Sequence, residues 1–158
     1  MNMKVLMTFA VLFTLSFPAA AQEPNRCKGQ GYLLFASGVS NIGPGSAALQ
    51  IGGGGEGFIY RGLGLGIEIL AVGTDWVVGL GSANFSYHLL PRTKDRKLEP
   101  FVTAGYSTFF RHGIVQGYNV GGGVNVWLNK NVGMRFEVRD HEAARRYAVG
   151  FRIGVTFR

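Results

Sequence analysis

The chain has 158 residues, 25 of them glycine and only one of them cysteine, and a formal net charge of +7. That length suits one domain of ordinary size, and the lone Cys27 excludes an intramolecular disulfide. Excess positive charge on an exported chain points to anionic lipid head groups and phosphorylated glycolipids and away from nucleic acid.

Export is the first reading in chain order. Lys4 supplies a positive end, Val5 to Phe17 form an almost unbroken apolar run, and Pro18-Ala19-Ala20-Ala21 closes it with small residues. Residues 1–21 are predicted to be a cleaved signal peptide, with Gln22 as the new N-terminus. The run is shorter than the roughly 20 apolar residues that a spanning helix needs. Residues 22–30 read as an N-terminal tail, and Asn25-Arg26 before Cys27 do not suit a lipoprotein site.

From residue 31 the dominant period is two, the signature of strands with two unlike faces. Gly31 to Val39 and Ala47 to Ile59 are strands by composition, with their facing left open. Leu63, Leu65, Ile67 and Ile69 then alternate with Gly62, Gly64, Gly66 and Glu68. Between Trp76 and Leu89 the apolar parity switches near Gly79 to Gly81, which predicts a bulge there. In Pro100 to Phe110, Val102, Ala104, Tyr106 and Phe110 are expected outward and Thr103, Gly105 and Ser107 inward.

The last third is the most regular. Tyr118, Val120, Gly122, Val124, Val126 and Leu128 alternate with Asn119, Gly121, Gly123 and Asn125; Val132, Met134, Phe136 and Val138 alternate with Gly133, Arg135, Glu137 and Arg139. Tyr147, Val149, Phe151, Ile153, Val155 and Phe157 form one face of a final strand. Turns are expected at 40–46, 73–75, 90–99, 111–117 and 129–131, and a polar loop at 140–146.

Strands of about 10 residues, apolar on one side, match a tilted crossing of a bilayer. The fold class predicted for residues 31–158 is therefore all-β: an eight-stranded antiparallel up-and-down transmembrane β-barrel with short turns. A closed barrel leaves no backbone donor or acceptor unpaired in hydrocarbon. Glu68, Arg135, Glu137, Arg139 and Arg152 fall on the non-greasy parity and are predicted to pair in the lumen, since an Arg turned to the lipid costs about 2 to 4 kcal/mol at mid-bilayer. Inward glycines leave room for these long side chains. Trp76, Tyr87, Phe109, Phe110, Tyr118, Trp127, Tyr147 and Phe157 lie near strand ends, where interfacial rings are expected.

The stretch Tyr118 to Asp140, with its glycine-rich strand, Asn129-Lys130-Asn131 turn and Met134-Arg135-Phe136-Glu137-Val138-Arg139-Asp140 run, resembles the small outer-membrane β-barrel superfamily that includes the outer membrane protein A transmembrane domain and outer membrane protein X. The resemblance covers most of residues 22–158 and implies the barrel alone, without a cell-wall anchor. The terminal strand is similar to the aromatic-rich signal read by the barrel assembly machinery, departing from it in that Arg158 follows Phe157.

Catalytic chemistry is sought at His88, His112 and His141. Lipid A deacylases, which are barrels of this size, set a His and a Ser two residues apart; His88 is followed by Leu89-Leu90, His112 by Gly113-Ile114 and His141 by Glu142-Ala143, no Ser is read as placed beside any of the three, and polar turn or rim positions are expected for them. The glycine runs Gly52 to Gly55 and Gly62 to Gly66 lack the Lys-Ser/Thr or helix start of a phosphate cradle. No spacing suggests a metal site, and no cofactor is expected. Solvated turns are the simpler reading of the basic runs, with Arg92 to Lys97 against phospholipid head groups and Arg111, Arg145 and Arg146 against lipopolysaccharide phosphates as the functional one.

The function expected is that of a non-enzymatic, single-copy integral outer-membrane protein with a structural, envelope-integrity or surface-interaction role. A soluble periplasmic barrel carrying a ligand is the rival, and it requires the opposite polarity, apolar inside and charged outside. A lipid A-modifying enzyme and a small-solute pore rank lower.

Overall fold

The computed structural model describes residues 28–41, 47–73, 77–90, 95–110, 113–143 and 146–158, the side chain of Arg146 excepted. The expected signal peptide and residues 22–27 of the tail lie outside them. Eight strands run in sequence: β1 (Gly29–Ser40), β2 (Ala47–Tyr60), β3 (Leu63–Gly73), β4 (Val77–His88), β5 (Leu98–Phe110), β6 (Ile114–Trp127), β7 (Val132–Ala143) and β8 (Arg146–Phe157). Each pairs antiparallel with its neighbours, and β1 pairs with β8, so the sheet closes as an up-and-down barrel. Among the described residues no helix occurs.

Local chemistry sets the turns. Between β2 and β3, Arg61 (φ 33) and Gly62 (φ 94) both take positive φ, as a tight two-residue hairpin requires. A Cβ on Gly62 would also stand 2.5 Å from the His88 carbonyl oxygen, so only glycine fits beside the end of β4. Between β6 and β7, the Asn129 side-chain oxygen accepts from the amides of Asn131 (2.9 Å) and Val132 (2.8 Å), a side-chain imitation of a backbone turn. At the seam, the Tyr147 amide donates to Asn41 Oδ1 at 2.6 Å and the Asn41 amide returns a bond to the Tyr147 carbonyl at 3.2 Å.

Four sequence expectations are corrected. No irregularity interrupts β4 at Gly79 to Gly81: Val78, Leu80, Ser82, Asn84, Ser86 and His88 all point inward on one parity. The apparent switch arises because Val78 and Leu80 join an apolar plug inside the barrel with Leu70, Val72 and Phe109. The register shift lies instead in β2, between Phe58 and Tyr60. The polar loop at 140–146 shrinks to residues 144–145, because β7 continues to Ala143 and β8 opens at Arg146; the loop at 111–117 likewise ends where β6 begins at Ile114. Gly29 and Gln30, expected in the tail, belong to β1.

All chain connections at one end, which also holds Lys28 and Arg158, are 61–62, 89–97 and 128–131; those at the far end are 41–46, 74–76, 111–113 and 144–145. The barrel wall separates two unlike surfaces. Outward stand Leu33, Ile51, Ile67, Ile69, Phe85 and Phe151, each more than half exposed. Between the two rims the outward side chains of the described strands include no charge below Asp140 on β7. Inward stand the polar and charged residues and, toward the far end, the apolar plug.

Candidate functional site

The lumen is built in three storeys. Nearest the far end, Ala48, Leu70, Val72, Val78, Leu80, Phe109, Ala143 and Ala148 form a buried apolar plug, with Val115 packed against it. Leu70 and Val72 of β3, Val78 and Leu80 of β4 and Phe109 of β5 fill it, and alanines of β2, β7 and β8 face them.

Beneath the plug lies a network of amides, hydroxyls and one imidazole. His141 Nε2 is 2.6 Å from Arg152 Nη2. A guanidinium has only donors, so this nitrogen accepts and the ring proton sits on Nδ1. Nδ1 therefore donates to Ser107 Oγ at 2.8 Å. The Asn119 amide also donates to Ser107 Oγ, at 2.9 Å, which leaves the serine proton to Ser82 Oγ, 3.1 Å away. Ser107 and His141 thus stand side by side as in a nucleophile-base pair, with the hydrogen-bond direction reversed. A base must take the serine proton, and here the imidazole gives one. The expectation of no serine beside any histidine is corrected by this contact between β5 and β7.

The charged storey runs from there to the opposite mouth as one chain of contacts. Arg152 Nη1 meets Glu68 Oε1 at 2.8 Å and Glu137 Oε1 at 3.6 Å. Arg139 closes on Glu137 through Nε and reaches Glu68 Oε2 at 3.7 Å. Arg135 Nε donates to Glu137 Oε2 at 2.9 Å, and its Nη1 reaches Glu56 Oε1 at 3.5 Å. Gln30 and Ser86 donate to Glu56 as well. His88 then bridges two carboxylates, Nε2 at 3.3 Å from Glu56 and Nδ1 at 3.4 Å from Glu99. Trp127 Nε1 donates to Glu99 Oε2 at 2.8 Å and ends the chain.

Arg135 is its centre. The guanidinium carbon lies 4.4 Å from the Tyr32 ring centroid and 3.9 Å from that of Phe101, so the plane is held between two aromatic faces while its edges bond carboxylates. This is a use of arginine that lysine cannot copy, because it needs a flat cation with edge-on donors. Glycine makes the room: a Cβ on Gly64 would come within 2.5 Å of Ser86 Oγ and 3.1 Å of Glu56 Oε2.

All five residues assigned to the lumen from parity, Glu68, Arg135, Glu137, Arg139 and Arg152, are buried and brought together in this network. The lumen set read from parity did not include Glu56, Glu99, His88, His141, Gln30 and Tyr32. His88 and His141 are 2% and 0% exposed, which corrects the turn or rim positions expected of them. Trp127 and Phe109, expected at the membrane interface, point inward, while Tyr87, Phe110, Tyr118, Tyr147 and Phe157 are exposed outside. The signal for the missed carboxylates was available: Glu99 shares the parity of Thr103, and Glu56 the parity of Gln50. His112, Trp76, Arg111 and Arg145 lie outside the described residues, as does the side chain of Arg146. Among the described residues no group of three or more His, Cys, Asp or Glu is arranged to hold a metal ion.

The N-terminal β-barrel domain of Pseudomonas aeruginosa OprF superposes with a TM-score of 0.63 at 15% identity, over 81% of this chain and 96% of that one. Neisserial surface protein A gives 0.62 at 13% identity, over 82% and 94%. The outer membrane protein OprG of Pseudomonas aeruginosa gives 0.58 at 11%, over 84% and 96%. The fold is that of the small outer-membrane β-barrels. At these identities the likeness is one of fold, and it spans nearly the whole of each of those barrels. No protein-family model and no curated protein matches the chain.

Ser107 and His141 still invite a direct test, since the small-barrel fold with a buried Ser-His contact could suggest acyl transfer. Replacing Ser107 by Ala, or His88, His112 and His141 together, is expected to leave the mass profile of extracted lipid A unchanged. A new or lost acyl-chain peak in either strain would overturn the reversed hydrogen-bond reading.

Proposed function

We propose that this chain is a non-enzymatic integral outer-membrane protein, a single-copy barrel whose lumen is shut and whose role is structural, in envelope integrity or surface interaction. The observation that carries the reading is the polarity of the wall. A water-soluble carrier presents charge outside and grease inside; this barrel has the reverse, with Arg135, Arg139, Arg152, Glu68 and Glu137 at 0 to 1% exposure and Ile67 and Ile69 at about 70% and 68%. Hydrocarbon is the solvent in which that arrangement is stable.

Closure supports a structural role over transport. A pore needs a wet path, and here an ion-pair chain is stacked on an apolar plug. The connections at the far end are two to six residues long, so little protein would project from the surface to grip a distant partner. In this reading both termini face the periplasm, the barrel assembly machinery inserts the chain, and lipid and lipopolysaccharide are its neighbours. Arg111, Arg145 and Arg146 belong by sequence to the far end, where lipopolysaccharide phosphates would meet them.

Fractionation tests the proposal. The protein is expected in the outer-membrane fraction, to migrate faster in SDS gels unheated than boiled, and to give no steady conductance in planar bilayers. Recovery in the soluble periplasmic extract would return the argument to the carrier, and a stable single-channel current would return it to the pore.

A further inference from the structure

We propose that the end of the barrel holding the termini carries a basic collar that binds anionic phospholipid head groups of the leaflet around it. This rests on the membrane reading above and adds the lipid class that one rim selects. Lys28, Arg61, Arg96, Lys97, Lys130 and Arg158 come from every described chain segment at that end, and the first five are exposed. The exposed carboxylate accompanying them among the described residues is Asp95. By sequence the same β4–β5 connection also holds Arg92 and Lys94, outside the described residues. Among the described residues the outward side chains of the opposite rim carry Asp140 and Glu142, the latter accepting from Tyr118 Oη at 2.5 Å; by sequence that rim also holds Arg111, Arg145 and Arg146.

Height identifies the partner. The cations sit directly below the apolar belt: Lys97 precedes the exposed Leu98, Lys130 follows the exposed Leu128 by two residues, and Arg61 follows the outward Ile59 by two. Lipid-facing grease followed immediately by cations reproduces the order of acyl chain and phosphate in a leaflet, and long basic side chains reach the phosphate from such positions. Ring contacts hold two of the charges at this level, Arg61 over Tyr60 at 5.3 Å and Arg158 over Trp127 at 3.9 Å. Arg158 also donates from Nε to the Lys130 carbonyl at 3.0 Å, tying the last residue to the β6–β7 turn. The cations are distributed around a rim and do not converge on a pocket, which suits many separate head groups better than one soluble anion.

The test uses the full chain refolded into vesicles of phosphatidylcholine with and without phosphatidylglycerol. Spin-labelled lipids report which head group is held in the first lipid shell. At low salt the labelled phosphatidylglycerol is expected to be favoured over phosphatidylcholine by about threefold or more. The preference should fall to near parity in 1 M salt, where the screening length is only about 3 Å. A variant with Arg61→Asn, Arg96→Gln, Lys97→Gln and Lys130→Gln should lose it equally while keeping heat-modifiable migration; asparagine at 61 respects the positive φ there. Equal affinity for both lipids at low salt, or a preference that survives both salt and substitution, overturns the proposal. So does pelleting of the unsubstituted chain with peptidoglycan sacculi that the same variant abolishes while its lipid preference is unmoved. If the variant does not fold, the salt series on the unsubstituted chain decides. Loss of heat-modifiable insertion in every vesicle defeats the membrane reading itself, a result distinct from insertion without lipid preference.

Discussion

Replacing Arg135 by leucine is expected to destabilise the barrel by about 3 to 5 kcal/mol, the cost of leaving buried charges without their partner. The substitution would remove Nε from Glu137 and Nη1 from Glu56, and empty the gap between Tyr32 and Phe101. Glu56 Oε1 would keep His88 and Gln30, and Glu137 would keep Arg139 and Arg152 on Oε1, so the loss is concentrated at Glu137 Oε2, which faces Arg135. Equilibrium urea unfolding of the chain in lipid vesicles measures it. Arg135→Lys should recover only part of the loss, because an ammonium restores the charge without the flat face and fork of donors. A cost below about 1 kcal/mol for the leucine variant, the range of solvent-exposed pairs, would mean that water reaches the guanidinium and that the lumen is open.

The second large effect lies on the other face of the wall. Ile67, about 70% exposed and paired between Gly55 of β2 and Ala83 of β4, should tolerate alanine and reject arginine. An arginine at mid-bilayer costs about 2 to 4 kcal/mol, falling to about 0 to 1 near the interface. Ile67→Arg and Val124→Arg are therefore expected to reduce the assembled, heat-modifiable band sharply, while Leu98→Arg, next to Lys97 at the rim, should leave most of it. In a barrel surrounded by water the order would reverse, and arginines at 67 and 124 would be neutral or would improve solubility. Comparing the three variants in one expression background reads the direction of the wall independently of any lumen residue.

How far the sequence reached depended on what repeats at short range. In β7, the order Gly133, Arg135, Glu137, Arg139 against Met134, Phe136, Val138 was legible because one face carries three charges and the other is apolar. In β4 the same rule misled, since Val78 and Leu80 are apolar and inward, and a switch of parity was the natural reading of a greasy plug. His141 was hidden for a related reason. Its neighbours Asp140, Glu142 and Arg145 look like a polar loop, whereas β7 runs on to Ala143 with Asp140 and Glu142 outward near the rim and His141 inside. Polar residues mark a loop when water surrounds both faces, and they mark a strand end when one face looks into a charged lumen.

The amino-acid sequence by itself determined the alternation, the closure into eight strands and the side of the wall on which Glu68, Arg135, Glu137, Arg139 and Arg152 stand, because a side chain's face follows from counting by two. Tertiary structure alone decided which of those charges touch. Glu56 and Arg135 lie on β2 and β7, and Ser107 and His141 on β5 and β7; they meet only through strand tilt and stagger across the barrel, which no local period encodes. The same geometry stacked an apolar plug above an ionic chain, an order that alternation of faces does not encode.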